Sequence, residues 1–169
     1  IVRHTTHKEW IPTMVLGQLL TSSNFKDDEQ KRHSGGRNGY GAKLTNIFSK
    51  RVEIDLVDQR TKQRFQQTFT SNMKDMDEAK ITKNKSKPYT QFKFWPDLER
   101  FGLSEITQDH VDYFLRRAYD IVGMPPLGQK VRVFWNDREL KIGSFDKYCH
   151  MFLDAINPVT TPDEQDTDE

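Results

Sequence analysis

Apolar residues along the chain fall into helical and alternating runs separated by polar stretches. From Trp10 the segment WIPTMVLGQLL places Met14, Val15, Leu16, Leu19 and Leu20 on one helical face, and Pro12 suits a first turn, where its missing N–H is not needed. The polar cluster TSSN, Thr21 to Asn24, ends that helix. FKDDEQKRHSGG, residues 25 to 36, has neither periodicity and closes on paired glycines. A loop of this length is long enough to act as a lid. Tyr40 to Phe48 (YGAKLTNIF) then sets Leu44, Ile47 and Phe48 on one side of a short helix.

Beyond it the period changes to two. Val52, Ile54 and Leu56 alternate with Glu53, Asp55 and Val57, which predicts a half-buried strand. Phe65 to Thr70 and Tyr89 to Trp95 read as further strands, the second with Phe92 and Phe94 on one face. The stretch between them, SNMKDMDEAKITKNKSKP, reads as a solvated connection. A nucleic-acid role for Lys80, Lys83, Lys85 and Lys87 is the less favoured reading, since no aromatics interleave them. Asp109 to Val122 returns to helical spacing through Val111, Phe114, Leu115, Ala118, Ile121 and Val122, with Gly123 as its stop. Lys130 to Asn136 reads as a strand, Asn136 and Asp137 as a turn, Glu139 to Ile142 as a short extended piece and Phe145 to Ile156 as a last helix. The expected class is α+β, a layer of mostly antiparallel strands with helices on one face.

Composition narrows the field only slightly. Hydrophobic residues make up 34% of the 169, charged residues 30% and aromatics 11%, enough apolar content to fold. The net charge of +1 conceals an acidic end: the last ten residues hold five acids and no base, and the remainder carries +6. Residues 159 to 169 are expected to be a disordered tail. The mildly basic remainder suits a polyphosphate ligand or a weak nucleic-acid contact, and equally an ordinary soluble domain. Cys149 stands alone, so no internal disulfide forms, and the His4/His7 pair has no further ligand pair to make a metal site. No apolar run reaches membrane-spanning length, no signal-peptide core is visible, and a soluble intracellular protein is expected. The first residue is Ile1 rather than Met, which suggests processing or an excerpt.

The candidate chemistry sits in GGRNGYGAK, residues 35 to 43. A P-loop requires lysine directly after its second glycine, where Gly41 is followed by Ala42. A dinucleotide fingerprint requires a preceding buried strand and a third glycine, where Leu44 stands. What remains is the physics common to both motifs: glycines that admit a close ligand, a helix beginning near Tyr40 with free N–H groups, and donors on Arg37, Asn38 and Lys43. On spacing alone, a phosphate site and a plain glycine-rich turn both remain open.

The wording of these segments goes further. LLTSSNF (Leu19 to Phe25) and GGRNGYGAKLTNIFS (Gly35 to Ser49), with WIPTMVLG (Trp10 to Gly17), FKFWPDLERFGL (Phe92 to Leu103) and RRAYDIVG (Arg116 to Gly123), resemble the ATPase region of eukaryotic type IIA DNA topoisomerases. That region belongs to the wider GHKL group of ATPases shared with gyrase and the histidine kinases. The resemblance implies a GHKL-like two-layer sandwich, incomplete here, with residues 1–140 as a partial ATPase domain, residues 25–43 as its ATP lid and residues 141–158 as the start of a transducer region. It implies that Gly36, Arg37, Asn38, Gly39, Tyr40, Gly41, Ala42 and Lys43 hold the β- and γ-phosphates of ATP. Ser22, Ser23 and Asn24 match residues near the α-phosphate and sugar. The lid is one residue longer than the common form, in KRHSGG.

By the same resemblance the full enzyme is a nuclear homodimer that uses ATP and Mg²⁺ and acts on DNA, with no membrane partner. The family's water-activating glutamate and Mg²⁺-binding asparagine lie upstream of the residue matching Ile1, so no catalytic or metal-binding residue is expected in this chain and no hydrolysis by it alone. The contrasting expectation is a non-catalytic interaction or nucleic-acid-binding module that keeps the fold.

Overall fold

The computed structural model describes residues 1–19, 21, 38–125 and 131–156. They form two compact units, Ile1–Ser104 and Glu105–Glu169. In the first, helices α1 (Ile11–Gly17) and α2 (Gly41–Ile47) precede strands β1 (Ser49–Asp58), β2 (Gln63–Thr70), β3 (Asp75–Met76), β4 (Lys80–Lys83) and β5 (Tyr89–Pro96), and a 3-10 turn follows at Leu98–Phe101. All pairings are antiparallel, in the order β3-β2-β1-β5, and β4 also pairs with β2. The connection expected to be solvated therefore contributes two strands. Short β3 and β4 lie along β2, and only Ile81 and Met76 signal it, set opposite Phe65 and Phe69.

Register assigns the two faces of this sheet. Val52, Ile54 and Leu56 lie opposite Phe69, Gln67 and Phe65 on one side and Phe94, Phe92 and Thr90 on the other. The apolar face so formed holds the core, with Val52, Ile54, Phe65 and Phe69 at 1% exposure or less. Gln67 is also buried there. Its amide accepts from Thr13 Oγ1 at 2.8 Å and donates to the Asp77 carbonyl at 3.0 Å, so both polar ends are satisfied. Helix α1 lies over this face: a Cβ at Gly17 would come within 2.7 Å of the Phe69 ring. The helix is shorter than its apolar pattern, ending at Gly17 with Gln18 extended.

The opposite face is polar. Asp55 accepts from Arg64 Nε at 2.8 Å, Tyr89 Oη at 2.9 Å and Gln66 Nε2 at 3.2 Å. The Arg64 guanidinium chiefly holds its carboxyl below the ordinary value. At the end of β2 the chain turns through Ser71, Asn72 and Met73, all in the left-handed region at φ 53 to 65°. Asn72 Nδ2 donates to Asp97 Oδ2 at 3.0 Å while Met73 packs on the core, which holds three residues in a backbone conformation that side chains disfavour.

The second unit contains α3 (Gln108–Gly123), the hairpin β6 (Val133–Trp135) and β7 (Arg138–Leu140), and α4 (Phe145–Ile156). Asn136 and Asp137 turn the hairpin with φ of 45 and 64°, the double left-handed turn that a two-residue loop requires. Gly123, expected as the stop of α3, is its last helical residue. Its missing Cβ makes room for Tyr148, whose ring would stand 2.3 Å from one. Tyr148 Oη donates to the buried Asp120 at 2.7 Å, and Arg117 Nη1 donates to its second oxygen at 2.6 Å.

Candidate nucleotide-lid site

Helix α2 is short because its sequence gives it little else. GAKLTNI contains one glycine and one β-branched threonine, carries no acid in its first turn, and starts without a side-chain cap. Two hydroxyls bond back along it, Thr45 Oγ1 to the Gly41 carbonyl at 3.1 Å and Ser49 Oγ to that of Thr45 at 2.6 Å. Seven residues sum to a small macrodipole, so the helix end alone is a modest anion attractor.

The described part of the candidate site runs from Asn38 to Lys43. Asn38 is half-buried, and Gly39 takes φ of 65°, a conformation that favours glycine. Tyr40 is 39% exposed, and its carbonyl accepts from Leu44 N–H at 2.8 Å, closing the first helical turn. Gly41 has no positive φ, and a Cβ built on it meets nothing within 4 Å. Among the described residues nothing in the packing requires a glycine there. Ala42 is half-buried. Ser22, Ser23, Asn24, Gly36 and Arg37 lie outside the described residues.

Lys43 departs from a simple surface donor. It is 2% exposed, and burial holds its ammonium below the ordinary lysine value. The sequence reading made Lys43 a donor in the first turn of the helix, and position 43 falls on the inner side of α2 with Asn46, also buried. Asn46 Nδ2 reaches the Leu16 carbonyl at 3.5 Å, tying α2 to α1. Its Oδ1 is buried without a partner among the described residues. Sequence reasoning missed Asn46; the only signal was its i+3 spacing from Lys43.

The donor set fits a polyphosphate: a glycine at the first helical position, a left-handed glycine preceding it and a buried cation whose charged form an anion would favour. For a metal ion the fit is different. Among the described residues no group of three or more His, Cys, Asp or Glu side chains is placed to hold one. No helix among them is long and apolar enough to cross a membrane.

The chain is 44% identical over 151 residues to a probable DNA topoisomerase 2 of Dictyostelium discoideum and 42% identical over 161 residues to DNA topoisomerase 2 of Arabidopsis thaliana. These alignments cover 89% and 95% of it. The fold superposes on the ATPase region of Saccharomyces cerevisiae topoisomerase II with a TM-score of 0.83 at 41% identity, over 92% of the chain. It is homologous to part of the ATPase region of eukaryotic DNA topoisomerase 2. The ATPase and transducer domains of DNA topoisomerase II from Balamuthia mandrillaris match with a TM-score of 0.79 at 37% identity. The chain spans about a tenth of the length of the curated topoisomerase 2 relatives and 40% of the yeast ATPase region. No family model matches it. The α+β class and the antiparallel sheet read from residue patterning agree with the topoisomerase 2 ATPase fold.

Proposed function

We propose that this chain supplies the phosphate-binding lid segment of a type II DNA topoisomerase, in which ATP and Mg²⁺ close a homodimeric clamp in the nucleus and one DNA duplex passes through a break in another. The observation that carries the reading is Gly41: a glycine with no conformational or packing reason to be one among the described residues, inside a chain 44% identical to a topoisomerase 2. A glycine at the start of α2 lets a ligand approach the backbone closely.

On this reading residues 1–140 belong to the ATPase domain, residues 25–43 form its lid, and residues 141–158 begin the transducer. The backbone from Gly36 to Lys43 cradles the β- and γ-phosphates with Arg37, Asn38 and Lys43 assisting, while Ser22, Ser23 and Asn24 meet the α-phosphate and sugar. Bound ATP supplies the charge that favours the closed state over the open one. Lys43 sits in a weakly hydrated place that disfavours its ammonium, and a phosphate beside it would offset that cost. The hydrolytic glutamate and the Mg²⁺-binding asparagine come from outside this chain, which by itself does not turn ATP over.

The test uses a fluorescent non-hydrolysable ATP analogue with Mg²⁺ on the wild-type chain and on Gly41→Val. Because a side chain at 41 meets none of the described residues, the variant keeps its thermal midpoint and loses analogue binding by tenfold or more. Unchanged analogue affinity in Gly41→Val would sink the lid reading in favour of a scaffold that has kept the fold without nucleotide use.

A further inference from the structure

One end of the five-stranded sheet gathers cations that the nucleotide reading does not use. The β1–β2 turn carries Arg60 and Lys62, and the β4–β5 connection begins with Lys83, Lys85 and Lys87. Residues 59–62 and 79–93 contain no acid at all. Pairing brings the two segments together. Lys83 stands opposite Gln63, and the Asn84 N–H donates to the Lys62 carbonyl at 2.9 Å. The connection is ordered by Asn84, whose Oδ1 accepts from the Ser86 N–H at 2.7 Å and from Ser86 Oγ at 2.6 Å.

All five cations are exposed, and none takes part in an ion pair among the described residues. The acids nearest in sequence are engaged elsewhere. Asp58 accepts from Thr61 Oγ1 at 2.9 Å, from the Arg60 N–H at 2.9 Å and from the amino group of Ile1. Asp55 is held by Arg64, Gln66 and Tyr89. Like charges kept close and unpaired raise the free energy of the isolated fold slightly, and only a polyanion recovers it. The surface offers exposed charge, and the hydroxyl of the exposed Tyr89 is committed to Asp55. That is the chemistry of phosphate-backbone contact without base reading.

We propose that this basic end of the sheet, formed by Arg60, Lys62, Lys83, Lys85 and Lys87, is a sequence-independent contact surface for the backbone of duplex DNA. The choice of duplex DNA over another polyanion rests on the topoisomerase reading above; the surface itself does not. It revises the reading of these lysines as mere solvated surface, because register sets the turn bearing Arg60 and Lys62 against them, a pairing invisible in the linear sequence.

The test measures fluorescence anisotropy of a labelled duplex oligonucleotide with the full 169-residue chain across a salt series. Each neutralised phosphate contributes roughly 0.9 to the slope of log affinity against log salt. The wild type is expected to bind weakly, with the slope of several contacts. Lys83→Glu, Lys85→Glu and Lys87→Glu together weaken binding by tenfold or more at low salt, and the matching Gln triple lowers the slope by roughly 3. A control reversing Lys8, Lys74 and Lys147 to Glu carries the same net charge and loses far less. Equal loss in the two Glu triples, no duplex binding by the wild type, or tighter binding to phosphatidylserine vesicles than to DNA each overturns the proposal. ATP-analogue binding measured on the same proteins keeps the two readings apart, since the lysine triples retain it and Gly41→Val retains DNA binding.

Discussion

The two units solve the problem of holding helices in place by opposite means. In the first, a sheet face of Val52, Ile54, Phe65 and Phe69 is closed to water, and polar contacts such as Thr13–Gln67 fill in around it. In the second, the buried set is Tyr148, Asp120 and Gly123, while Tyr113, Ile121, Phe145 and Ile156 stand 54 to 73% exposed. One unit is held by area, the other by a single ring seated in a glycine notch and fastened to a carboxylate. Buried area spreads its contribution over many contacts, whereas a notch depends on one dimension.

The largest effect that sharpens this contrast is Phe69→Ala. Removing a fully buried ring from the centre of the first core costs about 3–5 kcal/mol, read as a fall in the urea midpoint. A loss under about 1 kcal/mol would mean that the sheet face does not carry the first unit. Next comes Gly123→Ala, one methyl group, which drives a Cβ to 2.3 Å from Tyr148 and costs about 1–3 kcal/mol. Its signature is local: amide exchange in α3 and α4 quickens while β1 and β2 stay protected. If exchange in α3 and α4 stays unchanged, the notch is not what holds the second unit. The smallest effect belongs to Asp55 on the polar face. Its folded pKa is lowered, so its contribution is fully present above the ordinary carboxylate value and disappears as pH falls from there through the lowered one. Asp55→Asn should lower stability modestly at neutral pH and flatten the acid limb, so that the two profiles converge as pH falls, and a profile parallel to the wild type would show the network idle.

Much of the first unit could be read before folding. Alternation at Val52, Ile54 and Leu56 marks β1 because one face is buried and one wet, and the same logic found Phe92 and Phe94 on one side of β5. The short strands β3 and β4 escaped because four residues such as KITK carry too few apolar positions to show a period, and their pairing with β2 is a long-range fact. Gly123 was found for the wrong reason: a glycine near a helix end has the same appearance whether it stops the helix or admits a neighbour's ring. At the candidate site, Gly39 and Gly41 were legible as glycines, but the open space at one and the left-handed backbone at the other were not. The burial of Lys43 was hidden for a related cause, since which side of a two-turn helix faces inward depends on what it packs against. The expectations for residues 22–37 and for the acidic tail lie outside the described residues.

Gly17 sets a clearance. The end of α1 rests on Phe69 with no room for a methyl group, so the height at which the chain leaves the sheet toward residue 18 is fixed by an absence. Any side chain at position 17 would act as a shim, lifting the helix end off the ring.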